Sequence, residues 1–365
     1  MSKNPFKFGS IVDDPHFTNR EKEISRVMSL LDSSNHLIII SPRRFGKSSL
    51  IFKVVKQTNR PVVSIDLQII TTVEDFAAQL LKRIYRVYHF EKVKQIVRNF
   101  RIIPTISINP VNNEVDISFQ SVSSHLPMLE DVMNLMEKLS NERKKLIIIL
   151  DEFQEARRIS PDLLKQLRSI IQHHKHINYV FLGSQESLMR EIFEKKKSPF
   201  YHFGMLMLLG KIPREDFEVY LTKGLHAVTR NNVRISEEIL NITNSHPYYT
   251  QQLAFVVWNI LNQKSVSDIP IRQAIDELIL MHDMDYEILW NTFNRTDKKV
   301  LIGLSLSGLT PLMEAFFRKY NIGASSTAFS SLKRLLRNGY ITKNDNRYEI
   351  DDPFFSLWIK ERREK

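Results

Sequence analysis

From Leu37 to Gly210 the chain alternates short, continuously apolar runs with amphipathic stretches. His36-Leu37-Ile38-Ile39-Ile40, Val62 to Leu67, Leu146 to Leu150 and Tyr179 to Leu182 predict buried strands, and Leu206 to Leu209 a weaker fifth. A strand that is apolar on successive residues has no face to offer to water. Such runs, separated by helical patterns, therefore predict a parallel sheet with helices on both sides, the α/β class. Between the second and third runs, Phe76 to Tyr88 has the spacing of an amphipathic helix. Thr105 to Phe119 then alternates apolar and polar residues around Asn112-Asn113, which predicts a β-hairpin inserted at the rim of the sheet within residues 90–125.

After Pro213 the pattern is helical throughout. Arg214 to Leu221, Ser236 to Thr243, Tyr248 to Leu261 and Pro270 to Leu280 predict a small helical domain. Ser236 is expected to cap its helix, and Pro270 to open one, because proline fits the first turn. From Asp297 the order is three helices (Asp297 to Leu304, Leu312 to Tyr320, Ser326 to Asn338), a stop at Gly339, and a hairpin over Tyr340 to Ile350. That order predicts a winged helix-turn-helix. The expected domains are residues 1–212, 213–290 and 291–365.

Composition narrows the class. The 365 residues exceed one ordinary core, and 42% hydrophobic with 25% charged residues is the balance of a globular chain. There are no cysteines, which removes disulfides, thiolate zinc sites and cysteine nucleophiles and fits a reducing compartment. The N-terminal MSKNPFKFGS has no apolar signal core, and no apolar run approaches the roughly 18 residues of a membrane span. A soluble cytoplasmic protein without membrane partners is expected.

The net charge of +11 suits a polyanionic partner, or simply a basic surface. Arg295 to Lys365 carries fourteen Lys/Arg against eight Asp/Glu, a balance of +6. Lys333, Arg334 and Arg337, near the end of the third helix, are candidate contacts to double-stranded DNA. The competing reading makes this module a protein-docking or autoinhibitory one. Lys82 to Arg101, with seven Lys/Arg and one Glu, reads as a solvated helix face or a nucleic-acid grip. His173, His174 and His176 read as a solvated turn rather than a metal site.

The candidate chemistry begins where the first strand ends. Ser41-Pro42-Arg43-Arg44-Phe45-Gly46-Lys47-Ser48-Ser49 lies between that strand and a helix through Leu50, Phe52 and Val54. A phosphate-binding loop needs inward backbone N–H groups, a helix N-terminus beneath them, a lysine for the β/γ oxygens and a hydroxyl for Mg²⁺. Gly46, Lys47 and Ser48 provide these in order. Ser41 stands where the pattern expects glycine, and there it should cost backbone freedom. The strand Leu146 to Leu150 delivers Asp151-Glu152 to its C-terminal end, beside such a loop in a parallel sheet. Asp151 is expected to hold Mg²⁺ with Ser48, and Glu152 to polarise the attacking water. After the next strand, Gly183-Ser184-Gln185 offers a polar group at the γ-phosphate, or a cap for the following helix.

Taken together, these residues resemble the prokaryotic AAA+-related ATPases of the STAND type, the archaeal-type ATPases with a C-terminal winged helix. Asn4-Pro5-Phe6 and Phe17 to Glu23 are similar to that family's segment before the loop, which implies that Phe17 and Arg20 pack around adenine. Pro42 to Leu50 resembles its loop down to the paired arginines, and Asp151-Glu152-Phe153-Gln154-Glu155 its acidic strand end. Gly183-Ser184-Gln185 is similar to its sensor, and His246-Pro247-Tyr248 to a lid motif whose proline, here Pro247, approaches the base. Asp352 to Trp358 resembles its ending. The chain departs from the pattern at Ser41, at Ser245 where glycine is usual, and at His202-Phe203 where an arginine often stands.

The resemblance implies a three-layer αβα P-loop fold of the ASCE/AAA+ type with a helical lid and winged helix. It also implies ATP and Mg²⁺ as ligands. In the catalytic set, Lys47, Asp151, Glu152 and Ser184 act on phosphates bound by Pro42, Arg43, Arg44, Phe45, Gly46, Lys47, Ser48 and Ser49. The expected activity is slow ATP hydrolysis that repositions the winged helix. Two other readings stay open: a DNA-binding regulator using ATP as a ligand, and a signalling scaffold that forms homo-oligomers or binds a protein partner.

Overall fold

The computed structural model describes residues 3–108, 115–263, 269–307, 310–344 and 347–363. They form two compact units. One comprises Arg20–Ser41 and Lys47–Leu209; the other comprises Met1–Asn19, Pro42–Gly46 and Gly210–Lys365.

The first unit is built on a five-stranded, wholly parallel sheet. Its strands are β1 (Leu37–Ile40), β2 (Val62–Asp66), β5 (Leu146–Asp151), β6 (Ile177–Gly183) and β7 (Met205–Leu208), ordered β2-β5-β6-β1-β7. Every residue of β1 and β6, and all of β5 up to Asp151, is buried, as the unbroken apolar runs require. β6 lies between β1 and β5, so the C-terminal ends of β1 and β5 stand two strands apart. The edge strand β7 is the weakest apolar run, and Met205 and Leu208 are exposed.

Helices Val73–Val87, Leu126–Leu139 and Leu163–Ile171 bury their apolar stripes in this unit's core. The expected hairpin forms from β3 (Thr105–Ile108) and β4 (Val115–Ser118), paired antiparallel from Thr105↔Ser118. It is a sheet of its own against helix Val73–Val87, and its Asn112-Asn113 turn lies outside the described residues. The histidine turn is less solvated than its polarity suggests. His174 bonds Tyr179 Oη (2.8 Å) and Asn134 Oδ1 (3.2 Å), and His176 faces Glu137. In the basic stretch, Arg101 is bound by Asp131 and Glu130, and Arg83 by Gln79.

In the second unit a single hydrophobic cluster runs from Phe6 through the helical stretch to Trp358 and Ile359 of the winged helix. Three helices differ from expectation, and the first, Arg214–Leu225, runs a turn past Leu221. Asn232–Thr243 starts a turn early, and Ser236 sits inside it, its hydroxyl bonded to the Asn232 carbonyl (2.7 Å) rather than capping. The helix opened by Pro270 does not stop at Leu280 but runs to Thr292, through the expected boundary at 290–291.

The winged helix follows as Arg295–Leu306, Glu314–Tyr320, Ser325–Arg337, then β8 (Ile341–Asn344) paired antiparallel with β9 (Arg347–Ile350), and a final helix Pro353–Arg363. Gly339 ends the third helix at φ 75°, a left-handed residue that lets Tyr340 N–H reach back to the Leu335 carbonyl. Among the described residues no helix is long and apolar enough to cross a membrane.

Candidate nucleotide site

In the first unit the chemistry gathers at the C-terminal ends of β5 and β6 and the N-terminus of helix Lys47–Gln57. Lys47, 9% exposed, opens that helix and places Nζ 2.7 Å from Glu152 Oε1 and 3.5 Å from Asp151 Oδ1. Ser48 Oγ donates to Asp151 Oδ2 at 3.0 Å. A hydroxyl and a carboxylate this close are the hard oxygen donors that Mg²⁺ takes, and the pair fits that ion.

Glu152 turns the chain sharply. Its φ of 51° lies in the left-handed region, which costs a residue with a Cβ roughly 1–2 kcal/mol. Phe153 anchors the turn, buried among Phe181, Phe193 and Phe200. The Glu152 carboxylate, itself nearly buried, is saturated. Oε1 takes Lys47, while Oε2 takes the Ser184 hydroxyl (2.6 Å), the Ser184 N–H (3.3 Å) and the Gln154 amide (2.5 Å). Burial alone would push this carboxyl's pKa up. The Lys47 charge and the bonds from Lys47, Ser184 and Gln154 outweigh it and hold the pKa below the ordinary value. Ser184 thus serves Glu152 rather than the next helix, and Gln185, the N-cap residue, makes no side-chain cap bond.

Ser41 corrects an expectation. Its backbone avoids the left-handed region and continues β1, with its N–H on the Gly183 carbonyl (3.1 Å), so serine costs no backbone freedom here. The glycine that the loop does require is Gly46, at φ 89°. Arg20, 5% exposed, pairs with Glu23 at 2.9 Å.

The loop tip, Pro42–Gly46, belongs to the second unit. Arg44, at φ 66°, donates Nη1 to the Tyr249 hydroxyl (2.9 Å) and lies 4.5 Å from the centroid of the Tyr248 ring. Phe45 is buried edge-on to His246, with ring centroids 4.7 Å apart, and Arg43 is exposed. Pro247 opens helix Pro247–Asn262, and His246 caps it by accepting the Tyr248 N–H through Nδ1 (3.2 Å). Nε2 of His246 points towards Asp351 Oδ1, 3.6 Å away. Ser245, where glycine was expected, is at φ 55°, which explains why a glycine suits that place. Phe17 N–H bonds the Asp13 carbonyl in the N-terminal segment. Asp352 caps the last helix through the N–H groups of Phe354 and Phe355.

On the third helix of the winged domain, Lys333 and Arg337 are exposed. Arg334 instead binds the buried Asp297 through Nε (2.9 Å) and Nη2 (2.6 Å). Sequence reasoning singled out neither Tyr248 and Tyr249 as partners of Arg44 nor Gln154 as a partner of Glu152. Gln154 was within reach, as a polar residue in the acidic strand end; Tyr248 stood in the lid motif, but nothing in the sequence tied it or Tyr249, about two hundred residues away, to Arg44.

A parallel sheet ordered in this way, with lysine and serine in the loop and helix after β1 and an Asp-Glu pair at the end of β5, defines a P-loop ATPase. The chain belongs to the family described as "ATPase domain predominantly from Archaea", which matches residues 17–253. A second family, described as "Probable winged helix domain", matches residues 284–361. The chain is 27% identical over 201 residues to an uncharacterised ATP-binding protein of Methanocaldococcus jannaschii. That match covers 50% of the chain and 48% of the relative, so the chain spans about half of that protein. Its fold is similar to that of the Walker-type ATPase of Pyrococcus abyssi (TM-score 0.70, 18% identity, 98% and 99% of the two chains covered). It is also similar to the ORC1 protein of Aeropyrum pernix, solved in complex with DNA (TM-score 0.50, 12% identity, 95% and 93% covered).

Proposed function

We propose that the chain hydrolyses ATP slowly and uses its nucleotide state as a switch acting on the winged helix. The observation that carries the hydrolytic part is the meeting of Lys47, Ser48, Asp151 and Glu152 at bonding distance at one end of the sheet. Lys47 exchanges Glu152 for the β/γ-phosphate oxygens, and the loop Pro42 to Ser49 wraps those phosphates with its N–H groups. Mg²⁺ held by Ser48 and Asp151 would neutralise charge on the same oxygens. Once Lys47 has moved, Glu152 accepts a hydrogen bond from the attacking water and orients it in line, which is the main demand of phosphoryl transfer. Phe17, Arg20 and Pro247 are assigned to the adenine end, following the family resemblance.

Support for the switch comes from the second unit. Arg44 and Phe45 of the loop tip touch Tyr249 and His246, and Tyr249 meets Phe354 of the last helix with ring centroids 5.8 Å apart. A loop tip that shifts when phosphate binds therefore pulls on side chains shared with the winged domain. The test is phosphate release by the wild type, Lys47→Ala and Glu152→Gln. Loss of turnover in both variants is expected, and normal turnover in either removes its residue from the mechanism.

Contact with duplex DNA is the second reading, favoured by the exposed Lys333 and Arg337 on one helix and by the fold shared with a protein solved on DNA.

A further inference from the structure

We infer that Gln154 is a positioning residue for ATP hydrolysis, clamping Oε2 of Glu152 together with Ser184 so that Oε1 alone faces the water. This rests on the hydrolytic reading above and names the atom that performs it. The two carboxylate oxygens of Glu152 have different surroundings. Oε2 is held by three donors, all from the chain's own sheet end: the Gln154 amide, the Ser184 hydroxyl and the Ser184 N–H. Oε1 has the Lys47 ammonium, a group on a flexible stem that phosphate oxygens also attract. A side chain tied at one oxygen and exchangeable at the other is preset about its own axis. When Lys47 turns to phosphate, the carboxylate stays in place and only Oε1 becomes available.

Gln154 is shaped for this task. It is 3% exposed and sits two residues beyond Glu152 in the short turn Phe153–Glu155. A carboxylate only accepts, so the amide must present Nε2 to it, which fixes the amide's orientation. Its own Oε1 is then buried without a hydrogen-bond partner among the described residues, an uncompensated desolvation that a purely structural glutamine would avoid by turning outward. The space for the amide comes from Gly183, whose backbone is not left-handed: a Cβ there would lie 2.7 Å from Gln154 Oε1 and 2.4 Å from Met189. Glycine at the end of β6 is needed to make room.

The experiment compares the wild type, Gln154→Leu, Glu152→Gln and the double variant in steady-state and single-turnover phosphate release, with ADP affinity and thermal midpoint measured on each. Gln154→Leu keeps the volume and removes the donor. We expect kcat to fall on the order of 10- to 100-fold, the scale of a misplaced reacting group, with KM for ATP and ADP affinity within about twofold. The same substitution in the Glu152→Gln background should change turnover by less than about twofold, because the group it positions is already gone. Ser184→Ala, which removes a donor from outside the turn, should show the same non-additivity and guards against a folding defect in Gln154→Leu. Equal losses in both backgrounds, or no loss in the wild type, overturn the clamp. A wild type that releases no phosphate, or a Glu152→Gln variant as fast as the wild type, instead overturns the hydrolytic reading.

Discussion

Arg44, in the loop that precedes Lys47, donates to the hydroxyl of Tyr249 at 2.9 Å and lies over the ring of Tyr248. An arginine at the tip of this loop is thus held by the helix that starts at Pro247. The bond is charge-assisted and part-buried, although Arg44 as a whole residue is exposed to solvent. Tyr249→Phe should lower unfolding free energy by about 1 kcal/mol, and Tyr249→Ala by about 3, since the ring also packs on His246 and Phe354. Chemical denaturation of the two variants checks this; no effect of Tyr249→Phe would mean that the hydroxyl contributes nothing, and equal effects that the ring contributes nothing.

The winged domain separates two uses of basic residues on one helix. Asp297, 3% exposed, is bound by Arg334 and by the Ser331 hydroxyl. Arg334→Ala leaves that carboxylate short of its partner and should cost about 3 kcal/mol of stability. Lys333→Gln with Arg337→Gln should leave stability within about 0.5 kcal/mol. On the DNA reading the double substitution should also reduce the salt slope of duplex binding by about 2. Titration of a fluorescent duplex at several salt concentrations, with melting of the same samples, distinguishes the roles. If Arg334→Ala alone weakened binding without loss of stability, the assignment would be reversed.

Acid should loosen the first unit. Burial is the main cause that lowers His36 to about 4, with His174 and Arg168 adding to it, and burial likewise lowers His174 to about 4. Unfolded, both take up a proton near 6.5. Between 6.5 and 4 the unfolded chain therefore binds more protons than the folded one. Stability is complete above about pH 6.5 and is lost as pH falls through that window, by at most about 1.4 kcal/mol per unit for each histidine. Urea unfolding at pH 7, 6, 5 and 4.5 measures it. A flat profile for the wild type, or an unchanged slope in His36→Asn, contradicts the account.

The sheet was legible because β1, β5 and β6 carry apolar runs that helices covering both faces impose, whereas the edge strand β2, read as buried, holds Ser64 and Asp66 and is buried only at Val63 and Ile65. Helix ends were less so. Ser236 has the chemistry of a cap but spends its hydroxyl on the carbonyl four residues back. The run of the helix from Pro270 past Leu280 was hidden because Leu280, Met281, Met284 and Ile288 are exposed, and an apolar stripe facing outward gives no sign of where the core side lies. At the site, Lys47, Ser48, Asp151, Glu152 and Ser184 stood out, since their chemistry depends on local order within strand-loop units. The identity of their partners did not. Which donor reaches which oxygen of Glu152 depends on β6 lying beside β5, and Arg44 meets Tyr249 only through the folded second unit.

Mg²⁺-dependent phosphate release at saturating ATP, measured on the wild type and on Glu152→Gln with ATP binding followed in parallel, tests the central claim most directly. The account predicts slow but steady release by the wild type that stops when Mg²⁺ is chelated. It predicts retained ATP binding in Glu152→Gln with release reduced on the order of 100-fold or more. Release by Glu152→Gln at the wild-type rate, or none by a wild type that binds ATP and Mg²⁺, would contradict it.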